Sequence, residues 1–321
     1  MTTSTAPARC TPADPGSRCP AARYTGALRG PQHRWWRPLV GAAAVTGGLV
    51  AVVLALGITF GVAQALTGRS GTALDEAVSS TWWGLLAMNL ALAAGVPLAW
   101  LGVRAGHRRG PGAVSSVEGR WRWRWALRVV PVVLAVLVAA NLAVVAVEVL
   151  AGRAPFGPGT APGARQAVAL VVVVVLTTPL QAAGEEFFFR GWLSQAVGSW
   201  SARPAVGAVL AALASAALFS AAHGAEDALL FADRVVFGLV ASWLVWRTGG
   251  LEAAVVLHAV NNVVLMVPAA LAGALTVTPE VAPVPPLLVA VDVTCLLVAA
   301  AAVTALTRRA ERTRPDGRSG R

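Results

Sequence analysis

The chain has 321 residues, of which 56% are hydrophobic and 13% charged, and its apolar residues lie in long unbroken blocks, which places it with membrane proteins and excludes an ordinary soluble domain. Its net charge of +11 comes from arginines, with no lysine at all, gathered at the chain ends and in short loops between apolar blocks. That distribution fits topogenic charges and excludes a groove for nucleic acid.

Taken in chain order, residues 1–37 are rich in Pro, Thr, Ser and Arg and read as a disordered basic tail. The first apolar block is too long and too far from the start for a signal peptide and reads as a retained span. A helix needs about 20 apolar residues to cross the hydrocarbon, and eight stretches qualify: 38–67, 82–103, 126–151, 166–184, 204–222, 228–246, 253–272 and 286–307. The expected fold is therefore all-α, a polytopic transmembrane bundle of about eight spans over residues 38–307, and residues 308–321 read as a second basic tail. Arg18, Arg23, Arg29, Arg34 and Arg37 precede span one, and Arg104, Arg108, Arg109, Arg120, Arg122 and Arg124 fill the loop before span three. Alternate loops are poorer in arginine, with Arg69 beside Asp75 and Glu76, Arg153 and Arg165, then Glu226 and Asp227, then Glu280. Both termini are expected to be cytoplasmic.

Trp35, Trp36, Trp82, Trp83, Trp100, Trp121, Trp123 and Trp125 fall at span ends and read as interfacial anchors rather than stacking platforms for nucleic acid. Cys10, Cys19 and Cys295 have neither paired spacing nor a nearby histidine, so neither a disulfide framework nor a cysteine zinc site is indicated. A single isoleucine, Ile58, amid abundant Ala, Val, Gly, Pro and Arg is the bias of a GC-rich genome, and a bacterial cytoplasmic membrane is the expected location.

Chemistry concentrates in spans four to seven. An ionisable side chain at mid-bilayer costs about 2.5–3.5 kcal/mol, so each one kept there needs a partner, a cavity or a task. Glu186 and Arg190 are four apart with the acid first, the order that favours an ion pair on a helix. Glu185 points about 100° away from Glu186 and has no local partner, as suits a general base; both glutamates would also fit a helix end at the interface. Phe219 and His223 share a face, as do His258 and Asn262. A histidine beside an asparagine amide can donate to an oxyanion, although a lone helical histidine also fits a simple bond between helices. Asn89, Asn141, Glu148, Asp233 and Arg234 read as interhelical or snorkelling groups, and Asp292 has no ready explanation. One difficulty is built in: spans four and five run antiparallel, yet Glu185 and His223 both fall near the end of their own span. Either span four continues to about Gly198, or span five is short, tilted or kinked.

Glu-Glu-x-x-x-Arg at 185–190, Phe-x-x-x-His at 219–223 and His-x-x-x-Asn at 258–262 together resemble the motif set of the CPBP family, the CAAX proteases and bacteriocin-processing enzymes also called Abi proteins. The likeness covers residues 166–272, a protease-like core. The resemblance implies a membrane-embedded peptidase acting on a peptide or protein substrate at the lipid bilayer, with no nucleic-acid partner. It implies that Glu185 and His223 activate the attacking water, that His258 and Asn262 hold the oxyanion, and that Glu186, Arg190 and Phe219 support the site.

Two versions of the hydrolysis stay open, one metal-free and one in which Glu185, His223 and His258 hold Zn²⁺ with an open position for water. The metal-free version is preferred because Asn262 is a poor zinc ligand and a good oxyanion donor. The alternative to a peptidase is a non-proteolytic membrane protein: a transporter or proton relay, or an immunity or scaffold protein that retains the site.

Overall fold

The structure is a computed structural model and describes residues 24–31, 33–68, 81–152, 162–224, 227–275 and 285–312. Both chain ends beyond these, with Cys10 and Cys19, and the loop residues Arg69, Asp75, Glu76, Arg153, Glu226 and Glu280, lie outside the described residues. The fold is an all-α bundle, and among the described residues eight helical stretches are long and apolar enough to cross a membrane. Among the described residues there is no strand, only one isolated bridge between Ser116 and Gly250.

Helix α1 runs over Arg37–Thr67. The second span is two helices, α2 (Trp82–Ala93) and α3 (Gly95–His107). The break at Ala94 falls where Pro97 withholds an amide from the ladder. A short helix α4 (Gly112–Ser115) lies in the loop before α5 (Trp123–Leu150). The fourth span is continuous over Ala164–Gly198: α6 (Ala164–Glu186), a π-helical segment Phe187–Leu193, and α7 (Ser194–Gly198). The rest are α8 (Pro204–Ala221), α9 (Ala228–Thr248), α10 (Glu252–Ala272) and α11 (Pro286–Arg312). Helices satisfy every backbone group within the segment, which is what hydrocarbon demands of a spanning chain.

Helix α6 is the axis of the bundle, packed between α2 and α10; α10 also lies on α5, α8 on α9, and α11 against α5 and α9. The α6 crossing is close because it is made of glycines. A Cβ on Gly184 would collide with the carbonyl oxygen of Leu92, and one on Gly95 with that of Gly184. Beside that contact Asn89 donates to the Thr177 hydroxyl at 2.8 Å and the Thr178 hydroxyl at 3.2 Å, the interhelical role its sequence position implies.

The boundaries differ from the sequence reading where packing supplies partners that composition does not reveal. Span four runs on past the glutamates to Gly198, because the charges after Gly184 are satisfied inside the bundle. The basic stretch read as tail to residue 37 is docked from Tyr24 onward: the buried Tyr24 hydroxyl donates to the Val114 carbonyl, and Arg29 to the Ser199 carbonyl at 2.8 Å. The last helix continues to Arg312, with Glu311 paired to Arg247 at 2.9 Å.

Candidate functional site

A π-helical segment closes each hydrogen bond over one more residue than an α-helix and leaves carbonyls short of donors. Here the Phe189 carbonyl accepts from two serines, Ser194 of α7 and Ser215 of α8, each at 3.0 Å. The segment begins directly after Glu185 and Glu186, so it sets how α6 presents them to α8 and α10.

Arg190 and Glu186 are both fully buried, and the guanidinium Nη1 donates to Glu186 Oε1 at 2.9 Å. The guanidinium carbon lies 4.2 Å from the centre of the Phe219 ring and 5.7 Å from that of Phe237, so aromatic faces replace the water it has lost. Gly238 of α9 leaves the room: a Cβ there would lie 2.8 Å from Ala216 Cα and 3.1 Å from Arg190 Nη2.

His258 of α10 sits between the two glutamates. Its Nδ1 is 2.9 Å from Glu186 Oε1 and its Nε2 is 3.5 Å from Glu185 Oε2. The first is a hydrogen bond in which the ring donates, since an ionised carboxylate can only accept. The second is within ion-pair range but longer than a hydrogen bond, and Glu185 Oε2 is buried without a hydrogen bond among the described residues. Asn262, one turn beyond His258, donates to Gln181 Oε1 at 3.2 Å, and Gln181 lies one turn before Glu185 on α6. Its second amide hydrogen stays available.

His223 lies two residues past the end of α8. Its ring stands 4.7 Å from the Phe219 ring, and its Nδ1 is 2.8 Å from the Phe219 carbonyl. A carbonyl can only accept, so Nδ1 carries the proton and Nε2 keeps its lone pair. Burial pushes the imidazole below its usual value, against the Glu185 carboxylate and the Phe219 carbonyl, which push it up. His223 and His258 thus flank one ring, with Phe219 at 5.9 Å from His258.

The structure brings Glu185, Glu186, Arg190, Phe219 and His258 into direct contact, holds Asn262 one turn away through Gln181, and joins His223 through Phe219. The antiparallel difficulty has a physical answer. Glu185 lies about 20 Å from the end of its helix at Gly198, counted at 1.5 Å per residue. The α9–α10 turn is also recessed, with Leu251 and Glu252 fully buried beneath residues 115–122. There Leu251 N–H bonds the Ser115 carbonyl at 2.9 Å, and Arg122 clamps Glu252 through Nη2 at 2.6 Å and Nε at 2.9 Å.

Three neighbours went unread in the sequence. Gln181 and Gly238 carry no motif, and Phe237 sits against His258, ring centres 4.9 Å apart, in what looks like an ordinary apolar stretch. Arg234 is a correction. It reads as a snorkelling group, but it is half-buried on the face of α9 shared with Phe237 and Gly238, and it interacts electrostatically with Glu185 and His223. Its three-residue spacing from Phe237 was the available signal. Asp292, unexplained in the sequence, lies across from Asp233 on the packed pair α9 and α11 and interacts with it.

Among the described residues no group of three or more His, Cys, Asp or Glu side chains is arranged to hold a metal ion.

Residues 165–264 match the family model described as Type II CAAX prenyl endopeptidase Rce1-like. The match covers the segment that carries all three motifs, and the resemblance read from them holds at the level of that family. No curated protein and no solved structure matches the chain.

Proposed function

We propose that this chain, similar over residues 165–264 to type II CAAX prenyl endopeptidases, is an intramembrane endopeptidase that hydrolyses a peptide bond of a membrane-associated protein or peptide. Glu185 and His223 take a proton from water, whose oxygen attacks the scissile carbonyl carbon. The oxyanion receives hydrogen bonds from His258 Nε2–H and the free Asn262 amide hydrogen, and collapse breaks the C–N bond as the proton passes to the leaving amine.

The observation that carries this reading is the meeting of Glu185 and His258: Glu185 Oε2 lies 3.5 Å from His258 Nε2 and has no hydrogen bond among the described residues. His223 spends its Nδ1–H on a carbonyl and keeps an Nε2 lone pair, as a base needs. His258 spends its Nδ1–H on Glu186, which turns Nε2 towards Glu185, where it can bond the oxyanion when it carries a proton. Glu186 and Arg190 position His258, while Phe219 spaces the two rings. No step is routed through a metal. Activity is expected to survive zinc chelators, and loss on chelation with recovery on added zinc would refute the metal-free scheme.

The test is purified protein in liposomes, with lipidated and unlipidated membrane peptides as substrates and products read by mass spectrometry. Glu185→Gln is expected to lower cleavage by about 10²–10⁴-fold, the usual cost of removing a general base. Unchanged cleavage in that variant would remove Glu185 from the mechanism.

A second reading, a proton relay, draws support from the Asp233–Asp292 carboxylate pair outside the site. Proton flux through protein-bearing liposomes, abolished by Asp233→Asn, would favour it.

A further inference from the structure

Where α5 begins and α9 and α11 end, a cavity of about 600 Å³ opens among five arginines and two glutamates. Three of the arginines are paired: Arg120 with Glu118 at 2.9 Å, Arg122 with Glu252 at 2.6 Å and Arg247 with Glu311 at 2.9 Å. The other two, Arg124 and Arg128, stand one turn apart on α5, exposed, and make no hydrogen bond or ion pair with any described residue. Trp121 and Trp125, in the same wall, each bury an indole N–H that finds no acceptor among the described residues. One cavity is therefore lined by two uncommitted guanidinium groups and two unanswered N–H donors, and both glutamates in it already hold an arginine.

We propose that this cavity binds the phosphate of an anionic phospholipid headgroup. Phosphate supplies several acceptor oxygens and negative charge together, and guanidinium forks match it. Basic pockets between helices at a membrane surface take anionic headgroups on these grounds, and tryptophans sit at the same level. The stripe of α5 that carries Arg124 and Arg128 continues as exposed Leu127, Pro131 and Leu134, an apolar track on which acyl chains can lie below the headgroup. That track favours a lipid over free phosphate. The occupant would also touch the two residues that tie this end to the polar cluster, since Trp121 stacks on Phe187 at 5.9 Å and Arg122 clamps Glu252 at the start of α10.

The experiment is native mass spectrometry of the full chain in detergent, titrated with short-chain phosphatidylglycerol, phosphatidylcholine or inorganic phosphate. The unaltered chain is expected to retain phosphatidylglycerol over phosphatidylcholine. The Arg124→Gln/Arg128→Gln double variant is expected to lose about fivefold in affinity per arginine, while Arg104→Gln/Arg109→Gln, exposed basic positions elsewhere, is expected to bind as the unaltered chain does. Trp121→Phe keeps an aromatic ring, removes the N–H, and is expected to weaken retention. Unchanged melting temperatures in detergent show that each variant is folded. Equal retention in the Arg124/Arg128 variant, or an equal fall in the Arg104/Arg109 control, overturns the site. Displacement of the lipid by millimolar inorganic phosphate overturns the lipid as its occupant and assigns the cavity to free phosphate.

Discussion

Arg190 and Glu186 have given up water on every side, and each holds its charge against the other. Removing one partner of such a pair leaves a buried charge uncompensated and costs about 3–5 kcal/mol. Arg190→Met is therefore expected to lower the melting temperature in detergent sharply, whereas Arg120→Met, in an exposed pair, should leave it nearly unchanged. His223 carries a different prediction. Burial holds its folded-state value below the ordinary 6.5 or so, so the ring is neutral at pH 7 and able to serve as the proposed base. Cleavage should fall only as the pH drops below that ordinary value, with a rate profile flat from there to neutrality, and His223→Gln should lower the plateau. The Glu186–Arg190 pair was legible in the sequence because four-residue spacing on one helix is visible there. The His258–Glu186 bond and the Asn262–Gln181 bond were not, because both run between helices whose rotation only packing sets.

At the scale of elements, the glycine crossing and the π-helical segment together decide where Glu185 points. Gly184 precedes it, and the carbonyl oxygen of Leu92 fills the space a side chain would need. Backbone cannot fold out of the way as a flexible side chain can. Gly184→Ala should therefore push α2 and α6 apart, cost about 1–3 kcal/mol, and reduce cleavage as well by displacing the neighbouring carboxylate. Gly57→Ala, on α1 with open space around it, is the matched control and should do neither. Sequence reading ended span four at residue 184, since a run of glutamates normally marks the membrane surface. The continuation to Gly198, one of the two alternatives the antiparallel difficulty leaves in the sequence, is the one found, because Glu186, Arg190 and His258 satisfy one another within the bundle. The π-helical segment itself has no compositional signature in Phe-Phe-Phe-Arg-Gly-Trp-Leu.

For the whole molecule, fold class and span number were legible because transfer energy acts on composition alone, and all eight apolar blocks appear as helices. The docking of Tyr24 to Arg37 onto the bundle was not legible, because Tyr24, Arg29 and Trp35 find their partners around residues 114 and 200, far away in sequence. The arginine distribution predicts both termini on the cytoplasmic side, so reporter fusions at either end should be active only as cytoplasmic reporters. The broken second span has a mechanical consequence. Asn89 and the glycine contact bind α2 to α6, whereas α3 packs with α1 and the π-helical segment. The two halves of one crossing thus answer to different neighbours. Drawn out of a bilayer by its N-terminus on a force probe, span two should leave in two separate steps, of 12 and then 13 residues, where an unbroken helix would leave in one.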